Sequence, residues 1–304
     1  MPKILEYEIF GARTRAWQYG PDDASALILV HGFRGDHHGL EGLAQDLSIL
    51  LPQLRVVVPD LPGFGQSDPI PNHEHNLELY GSWLTQFSQA IISPTSASAT
   101  ASASALRPGS LSILGHSFGS LVVSEALSQG LTPSNTVLIN PISSPALDGP
   151  QSCMTKLAVA YYQAADFLPE RQSRWLLGHP VIVRVMSEFM AKTRDPQLRK
   201  WIHGQHEQHF STFAHSSTLL QAFRASVSHT VNEFALFFNM PTLFIAGDRD
   251  DITPLTEQLS LSRRVANSQL SIMPGVGHLV HYEAVHQAAE EIVSFLERSR
   301  GASL

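Results

Sequence analysis

The sequence predicts an α/β fold, a mainly parallel sheet of eight strands covered by helices on both faces and interrupted by one all-helical insertion. Three observations carry this expectation. Short, β-branched apolar runs recur along the chain, with the length and character of strands buried on both faces. Helical patterns separate them, which implies parallel βαβ crossovers. Between two of the runs, residues 142–228 show helical periodicity and no convincing strand.

Residues 4–10 and 12–19 flank Gly11 and read as a hairpin. Runs at 26–30, 54–58, 111–114, 136–139, 242–246 and 269–273 read as interior strands. Helices are expected near 39–50, 74–92, 117–129, 255–265 and 282–298. Within the insertion, Leu157, Val159, Tyr161, Tyr162 and Phe167 suggest one helix; Val181, Ile182, Val185, Met186, Phe189 and Met190 suggest another. The chain therefore divides into a first core part (1–141), a helical lid (142–228) and a second core part (229–304). The Ser/Ala run at 93–105 has too little apolar surface to offset its own ordering entropy, and is expected to be a surface connection.

Composition narrows the function. Acidic side chains outnumber basic ones 27 to 20, a net charge of −7, which disfavours nucleic acid as a partner and points to a small-molecule substrate. The single cysteine, Cys153, excludes an intramolecular disulfide and a multi-cysteine metal site, and is expected to be a small buried side chain. The first residues lack the basic start and apolar core of a signal peptide, and no apolar run approaches the ~20 residues of a membrane span. A cytoplasmic protein with no membrane span is the expectation; oligomeric state is left open.

The chemistry centres on Gly115-His116-Ser117-Phe118-Gly119, which follows a strand and opens a helix. A G-x-S-x-G turn in that context exposes the serine hydroxyl at the sheet's carboxyl edge, where the helix N-terminus favours developing negative charge. His31-Gly32-Phe33-Arg34-Gly35 follows the 26–30 strand. Its turn can aim the Phe33 backbone N–H at the site, where with Phe118 N–H it forms a two-donor oxyanion hole. The Pro/Gly loop 59–67 is expected to hold that turn in place. Two late strands end in Gly247-Asp248-Arg249-Asp250-Asp251 and in Pro274-Gly275-Val276-Gly277-His278, supplying an acid and a base in the order serine, acid, histidine.

With these motifs the chain resembles the α/β-hydrolase superfamily with a helical lid, over residues 1–141 and about 229–299. It is similar to the group of esterases, carbon–carbon bond hydrolases, proline iminopeptidases, cofactor-free perhydrolases and menaquinone-pathway synthases. The resemblance implies a triad of Ser117, Asp250 and His278, with Asp250 preferred to Asp248 and Asp251 by the Gly247-x-x-Asp250 spacing and Pro254. It implies a lid that encloses an acyl pocket, and no cofactor. Ser117 stands where haloalkane dehalogenases and epoxide hydrolases carry aspartate, which disfavours both. The expected activity is hydrolysis of a small or medium carboxylic ester or thioester through an acyl-enzyme. The alternatives are a C–C bond hydrolase or synthase-type lyase on the same triad, or a non-catalytic ligand-binding protein of the same fold.

Other signals carry less. Arg34 could face the pocket and bind substrate as an anion clamp, against a salt bridge to Asp36 or Glu41. His203, His206 and His209 lie three residues apart, a spacing that winds off one helix face, so no metal site is expected there. His116 is expected to orient the serine turn. Trp83, Trp175 and Trp201 read as core or lid anchors.

Overall fold

A computed structural model of the chain describes residues 1–93, 111–144 and 152–301, apart from the side chains of 152–155 and 301. The connection expected at 93–105 lies outside those residues except for Ser93, as does the side chain of Cys153. Eight strands form one sheet: β1 (Lys3–Ile9), β2 (Ala12–Tyr19), β3 (Ser25–Val30), β4 (Leu54–Pro59), β5 (Leu111–His116), β6 (Asn135–Ile139), β7 (Thr242–Gly247) and β8 (Ser268–Met273). Their order across the sheet is β1-β2-β4-β3-β5-β6-β7-β8. Only the β1–β2 and β2–β4 pairs are antiparallel. In the β1–β2 hairpin, Phe10 (φ 51°) and Gly11 (φ 71°) both enter the left-handed region, the twist that a two-residue turn needs to match the flanking strands.

The helices of the core are α1 (His37–Leu50), α2 (Leu77–Ile92) and α3 (Phe118–Ser128). The insertion contributes α4 (Ser152–Asp166), α5 (Glu170–Leu177), α6 (Pro180–Met190), α7 (Pro196–His209) and α8 (Ser216–Ser228). A 3₁₀ turn at Val231–Phe237 leads back to the sheet, followed by α9 (Leu255–Arg264), α10 (Val280–Glu283) and α11 (Val285–Gly301). The fold is thus α/β, a mostly parallel eight-stranded sheet with flanking helices and a helical insertion.

Alternation along β3 shows how the sheet is covered. Leu27 and Leu29 face a core cluster with Leu43 and Leu47 of α1 and Ile292 and Phe295 of α11. Ile28 and Val30 face the other cluster, with Trp83 and Phe87 of α2 and Leu121 and Val122 of α3. All are essentially inaccessible to solvent, and each such side chain contributes about 1.5–3 kcal/mol through burial. The second cluster runs on into the insertion through Tyr162, Leu177, Phe213, Leu219 and Phe223, so the inserted helices share a core with the sheet.

Three expectations differ in detail. β8 is half-exposed because it forms the sheet's edge and has one strand neighbour. The last helix is broken at Ala284 (φ −142°, ψ 42°), leaving α10 as a separate turn directly after His278. Trp83 is buried and its indole N–H donates to Thr14 Oγ1 at 2.9 Å, but Trp175 and Trp201 are 67% and 48% exposed. Among the described residues, no helix is long and apolar enough to cross a membrane.

Candidate active site

Parallel strands deliver their carboxyl ends to one edge of the sheet, and the loops leaving β3, β5, β6, β7 and β8 meet there. Ser117, directly after β5, has φ 52° and ψ −116°, a region that costs an L-residue of order 1–3 kcal/mol. Glycines make the turn possible. A Cβ on Gly115 would lie 2.5 Å from the Gly119 carbonyl oxygen, and one on Gly119 would lie 2.2 Å from that of Val30. The turn therefore packs backbone on backbone, presses α3 against the end of β3 and lifts the serine side chain off the sheet.

His278 Nε2 lies 2.8 Å from Ser117 Oγ, and His278 Nδ1 lies 2.7 Å from Asp250 Oδ2. Asp250 accepts further bonds from the backbone N–H groups of Ile252 (2.8 Å) and Thr253 (3.1 Å) and from Thr253 Oγ1 (2.5 Å). Burial pushes its carboxyl pKa up, but electrostatic attraction to the His278 ring and these hydrogen bonds outweigh burial and hold it below the ordinary value. A carboxylate so held fixes the imidazole with Nδ1–H toward the acid and the Nε2 lone pair toward the hydroxyl. Asp248 and Asp251 are engaged elsewhere: Asp248 Oδ1 accepts from Gly275 N–H (2.6 Å), and Asp251 pairs with Lys192 Nζ (2.6 Å).

The loop after β3 abuts the serine, since a Cβ on Gly32 would come within 3.3 Å of Ser117 Cβ. It is held by His31, whose Nδ1 lies 2.9 Å from the Gly32 carbonyl and whose Nε2 accepts Leu61 N–H at 2.9 Å. Asp60 accepts from the backbone N–H groups of His37 and Gln66, both at 2.7 Å. The 59–67 loop thus contacts the turn that follows β3. The Phe33 ring lies 6.4 Å from that of Phe118 and 5.8 Å from those of Tyr162 and Phe223. Phe118 opens α3, so its N–H has no intrahelical acceptor.

Arg34 departs from both readings of the sequence. Its guanidinium is buried and donates to the Phe210 carbonyl (3.1 Å), Tyr162 OH (3.1 Å) and the Leu177 carbonyl (2.7 Å). With its donors committed to the insertion it neither clamps an anion in the cavity nor pairs with Asp36 or Glu41. It is a strut between the β3 loop and the inserted helices, and its φ of 63° turns it toward them.

Asn140 is a residue that sequence reasoning missed. It follows β6 at φ 43°, and its Nδ2 donates to the carbonyls of Gly277 (3.1 Å) and His278 (2.9 Å). Its Oδ1 accepts Gly247 N–H at 2.9 Å. One amide thus ties the acid loop to the histidine loop; an asparagine at a strand's carboxyl end, before Pro141, was the available signal. His116 Nε2 also lies 3.2 Å from the His278 carbonyl. Burial lowers the His116 pKa to about 3, so it stays neutral and can donate Nε2–H to that carbonyl.

Above Ser117 and His278 is a cavity of about 330 Å³. Phe33, Leu40, Leu279 and Tyr282 line it from the core; Tyr162, Met186, Phe189 and Phe223 line it from the insertion. Among the described residues no lysine or arginine lines it.

The histidines of α7 separate as their spacing suggests. Ser187 Oγ sits 2.5 Å from His203 Nδ1 and 2.7 Å from His206 Nδ1, fully buried and away from the cavity. His209 turns instead to Asp36, which with His38 places three potential ligand atoms within 4.8 Å of one another. The rings of His38 and His209 are stacked, 3.9 Å apart at 24°. Stacked rings that far apart share no point lying in both ring planes and about 2.0–2.1 Å from both nitrogens, as a shared zinc ion requires. The arrangement suits two imidazoles sharing one carboxylate.

The family model for the alpha/beta hydrolase family matches residues 27–293. The chain is similar in structure to an esterase from Exiguobacterium antarcticum, with a TM-score of 0.75 and 17% identity over 98% of this chain and 100% of that one. It is also similar to an enol-lactonase from Burkholderia xenovorans, with a TM-score of 0.74 and 14% identity over 96% and 100%. In sequence it is 25% identical over 304 residues to the dihydrolipoyllysine-residue acetyltransferase component of the acetoin cleaving system of Pseudomonas putida, covering 98% of this chain and 70% of that protein. The chain belongs to the alpha/beta hydrolase family.

Two outcomes follow from this geometry. Asn140→Asp removes both amide donors and sets a carboxylate against two carbonyls. Steady-state kinetics should show kcat reduced about 10²-fold, because the displaced histidine loop moves the His278 imidazole out of line with Ser117. An unaltered kcat would contradict the role of the amide. Stability should also fall with acidification, because burial holds His75, His116 and His206 at pKa values of about 4, 3 and 3. Their folded values lie below the unfolded one, so the stability they contribute is present above about pH 6.5 and is lost as pH falls toward 4. His38, raised by its bond to Asp36, runs the other way, but it is one group against six, since burial lowers His31, His203 and His281 as well. The urea midpoint should drop between pH 7.5 and pH 5; a midpoint that rises would overturn this account.

Proposed function

We propose that the protein is a serine hydrolase that cleaves a small or medium carboxylic ester or thioester, with Ser117, His278 and Asp250 as its triad. The observation that carries this reading is the chain of hydrogen-bonding distances, 2.8 Å from Ser117 Oγ to His278 Nε2 and 2.7 Å from His278 Nδ1 to Asp250 Oδ2, beneath an apolar cavity. His278 takes the Ser117 proton as Oγ attacks the substrate carbonyl carbon. The tetrahedral oxyanion accepts hydrogen bonds from Phe33 N–H and Phe118 N–H at the positive end of α3. His278 then gives its proton to the departing alcohol or thiol, leaving an acyl-enzyme. A water deprotonated by His278 attacks the acyl carbon, and collapse of the second tetrahedral species returns the proton to Ser117 and frees the acid.

The inserted helices act in this reading as a lid that supplies the acyl-binding wall. Apolar walls and the absence of lysine or arginine among the described lining residues favour an uncharged acyl group over a dicarboxylate. The C–C hydrolase and synthase readings use the same residues, and no separate observation favours them.

p-Nitrophenyl esters of graded chain length test the reading. Wild type should turn over the uncharged short and medium esters and discriminate against a succinyl half-ester; Ser117→Ala should be inactive. Asp250→Asn should lower kcat about 10²–10⁴-fold by presenting the wrong imidazole tautomer to Ser117. Asp248→Asn should change it roughly tenfold or less. The acid assignment is wrong if the two aspartate variants exchange these effects.

A further inference from the structure

We propose that Glu283 is a positioning residue that couples the seating of the helical insertion to the placement of His278; this rests on reading His278 as the general base. Glu283 closes α10, the short helix that follows the histidine loop. Its Oε1 accepts the backbone N–H groups of Lys192 (2.6 Å) and Thr193 (2.7 Å), and its Oε2 accepts Gly277 N–H (2.9 Å). Two of these donors belong to the connection between α6 and α7; the third is the residue before His278. A single carboxylate therefore joins the insertion to the catalytic loop through three charge-assisted bonds.

The two segments also touch directly. A Cβ on Gly277 would lie 2.5 Å from Lys192 Cγ and 3.1 Å from the Met190 carbonyl oxygen, so a side chain there would push the segments apart. Lys192 Nζ reaches Asp251, next to Asp250, at 2.6 Å. On its other side the connection is held by Arg199, which donates to the carbonyls of Thr193 (3.1 Å) and Ala191 (3.2 Å). With its N–H groups on Glu283 and its carbonyls on Arg199, the connection has little freedom to move alone. Val185, Met186, Phe189 and Met190 of α6 line the cavity immediately before it. A shift of that wall, with or without an acyl chain against it, is carried through Glu283 to Gly277 and His278.

Asn140 and His116 hold the far side of the histidine loop from within the core. Loss of Glu283 is therefore expected to leave the loop folded but out of register with α6. A purely structural staple would change stability and leave the kinetics of the folded enzyme alone.

Glu283→Gln keeps one acceptor oxygen and turns an NH₂ group toward a backbone N–H. The test compares this variant with wild type in two ways: kcat and KM on p-nitrophenyl acetate and hexanoate, and amide hydrogen exchange over residues 186–196 and 274–282. The expected result is a folded protein with kcat roughly ten- to a hundredfold lower on both esters. KM should rise for hexanoate and stay near wild type for acetate, and both segments should lose protection together. Thr193→Pro deletes one donor from the insertion side and leaves Glu283 and the histidine loop intact; it should give the same pattern, weaker, and it carries the test if Glu283→Gln does not fold. Wild-type kcat in a folded variant, or loosening confined to 186–196, overturns the coupling. A wild type that turns over no ester sinks the hydrolase reading instead, while the exchange comparison still decides whether Glu283 couples the two segments.

Discussion

Ser117 sits at φ 52° and ψ −116°, in backbone space that an L-residue enters only when its surroundings impose it. Here the surroundings are backbone: Gly115 meets the carbonyl of Gly119, and Gly119 meets those of Val30 and His31, at distances no side chain would tolerate. The arrangement fixes the end of β5, the start of α3 and the end of β3 relative to one another. Three consequences follow from that one close approach. The hydroxyl stands clear of the sheet, the Phe118 N–H at the head of α3 points away from the helix, and the Gly32–Phe33 turn lies beside the serine. Because β6, β7 and β8 run parallel to β5, their loops end at the same edge, and Asn140 ties the last two together across it.

The helical insertion is bound to this edge by polar groups that sequence alone presents as ambiguous. Arg34 donates into it from the turn after β3, Asp36 meets His209 and Thr212, and Glu283 takes two of its backbone N–H groups. Each is an ionic side chain wholly or partly withdrawn from water, which is stable only when its hydrogen bonds are satisfied. Phe33 adds an apolar contact, its ring packed against both Phe118 of the core and Tyr162 of the insertion. The cavity between the two parts is accordingly shaped by residues from both.

The sheet was legible because its signals are local. Buried parallel strands such as 26–30 announce themselves as short, unbroken apolar runs, and Gly115-x-Ser117-x-Gly119 names a backbone geometry by its own residues. The placement of Asp250 and His278 was legible as loop chemistry at strand ends, and the geometry brings them together with Ser117. What escaped depends on partners distant in sequence. Arg34 read as an anion clamp or as a partner of Asp36 or Glu41 because its acceptors, the carbonyls of Leu177 and Phe210, are backbone groups that no side-chain pattern reveals. Asn140 and Glu283 escaped for the same reason: each bonds main-chain atoms far from itself in sequence. Trp175 read as an anchor by its size, but its side chain is largely exposed on α5 and its ring meets that of His179.

The most direct measurement is covalent labelling with a fluorophosphonate, followed by intact mass and peptide mapping. The fluorophosphonate phosphorus is attacked only by a hydroxyl whose proton has somewhere to go, so it reads nucleophile, base and access together. A second serine in the chain, Ser187, also lies against histidines but is sealed from the cavity, which makes it an internal control. The account predicts a single adduct, mapped to Ser117 and absent from Ser117→Ala. An unlabelled wild type, or an adduct that persists in Ser117→Ala, would contradict it.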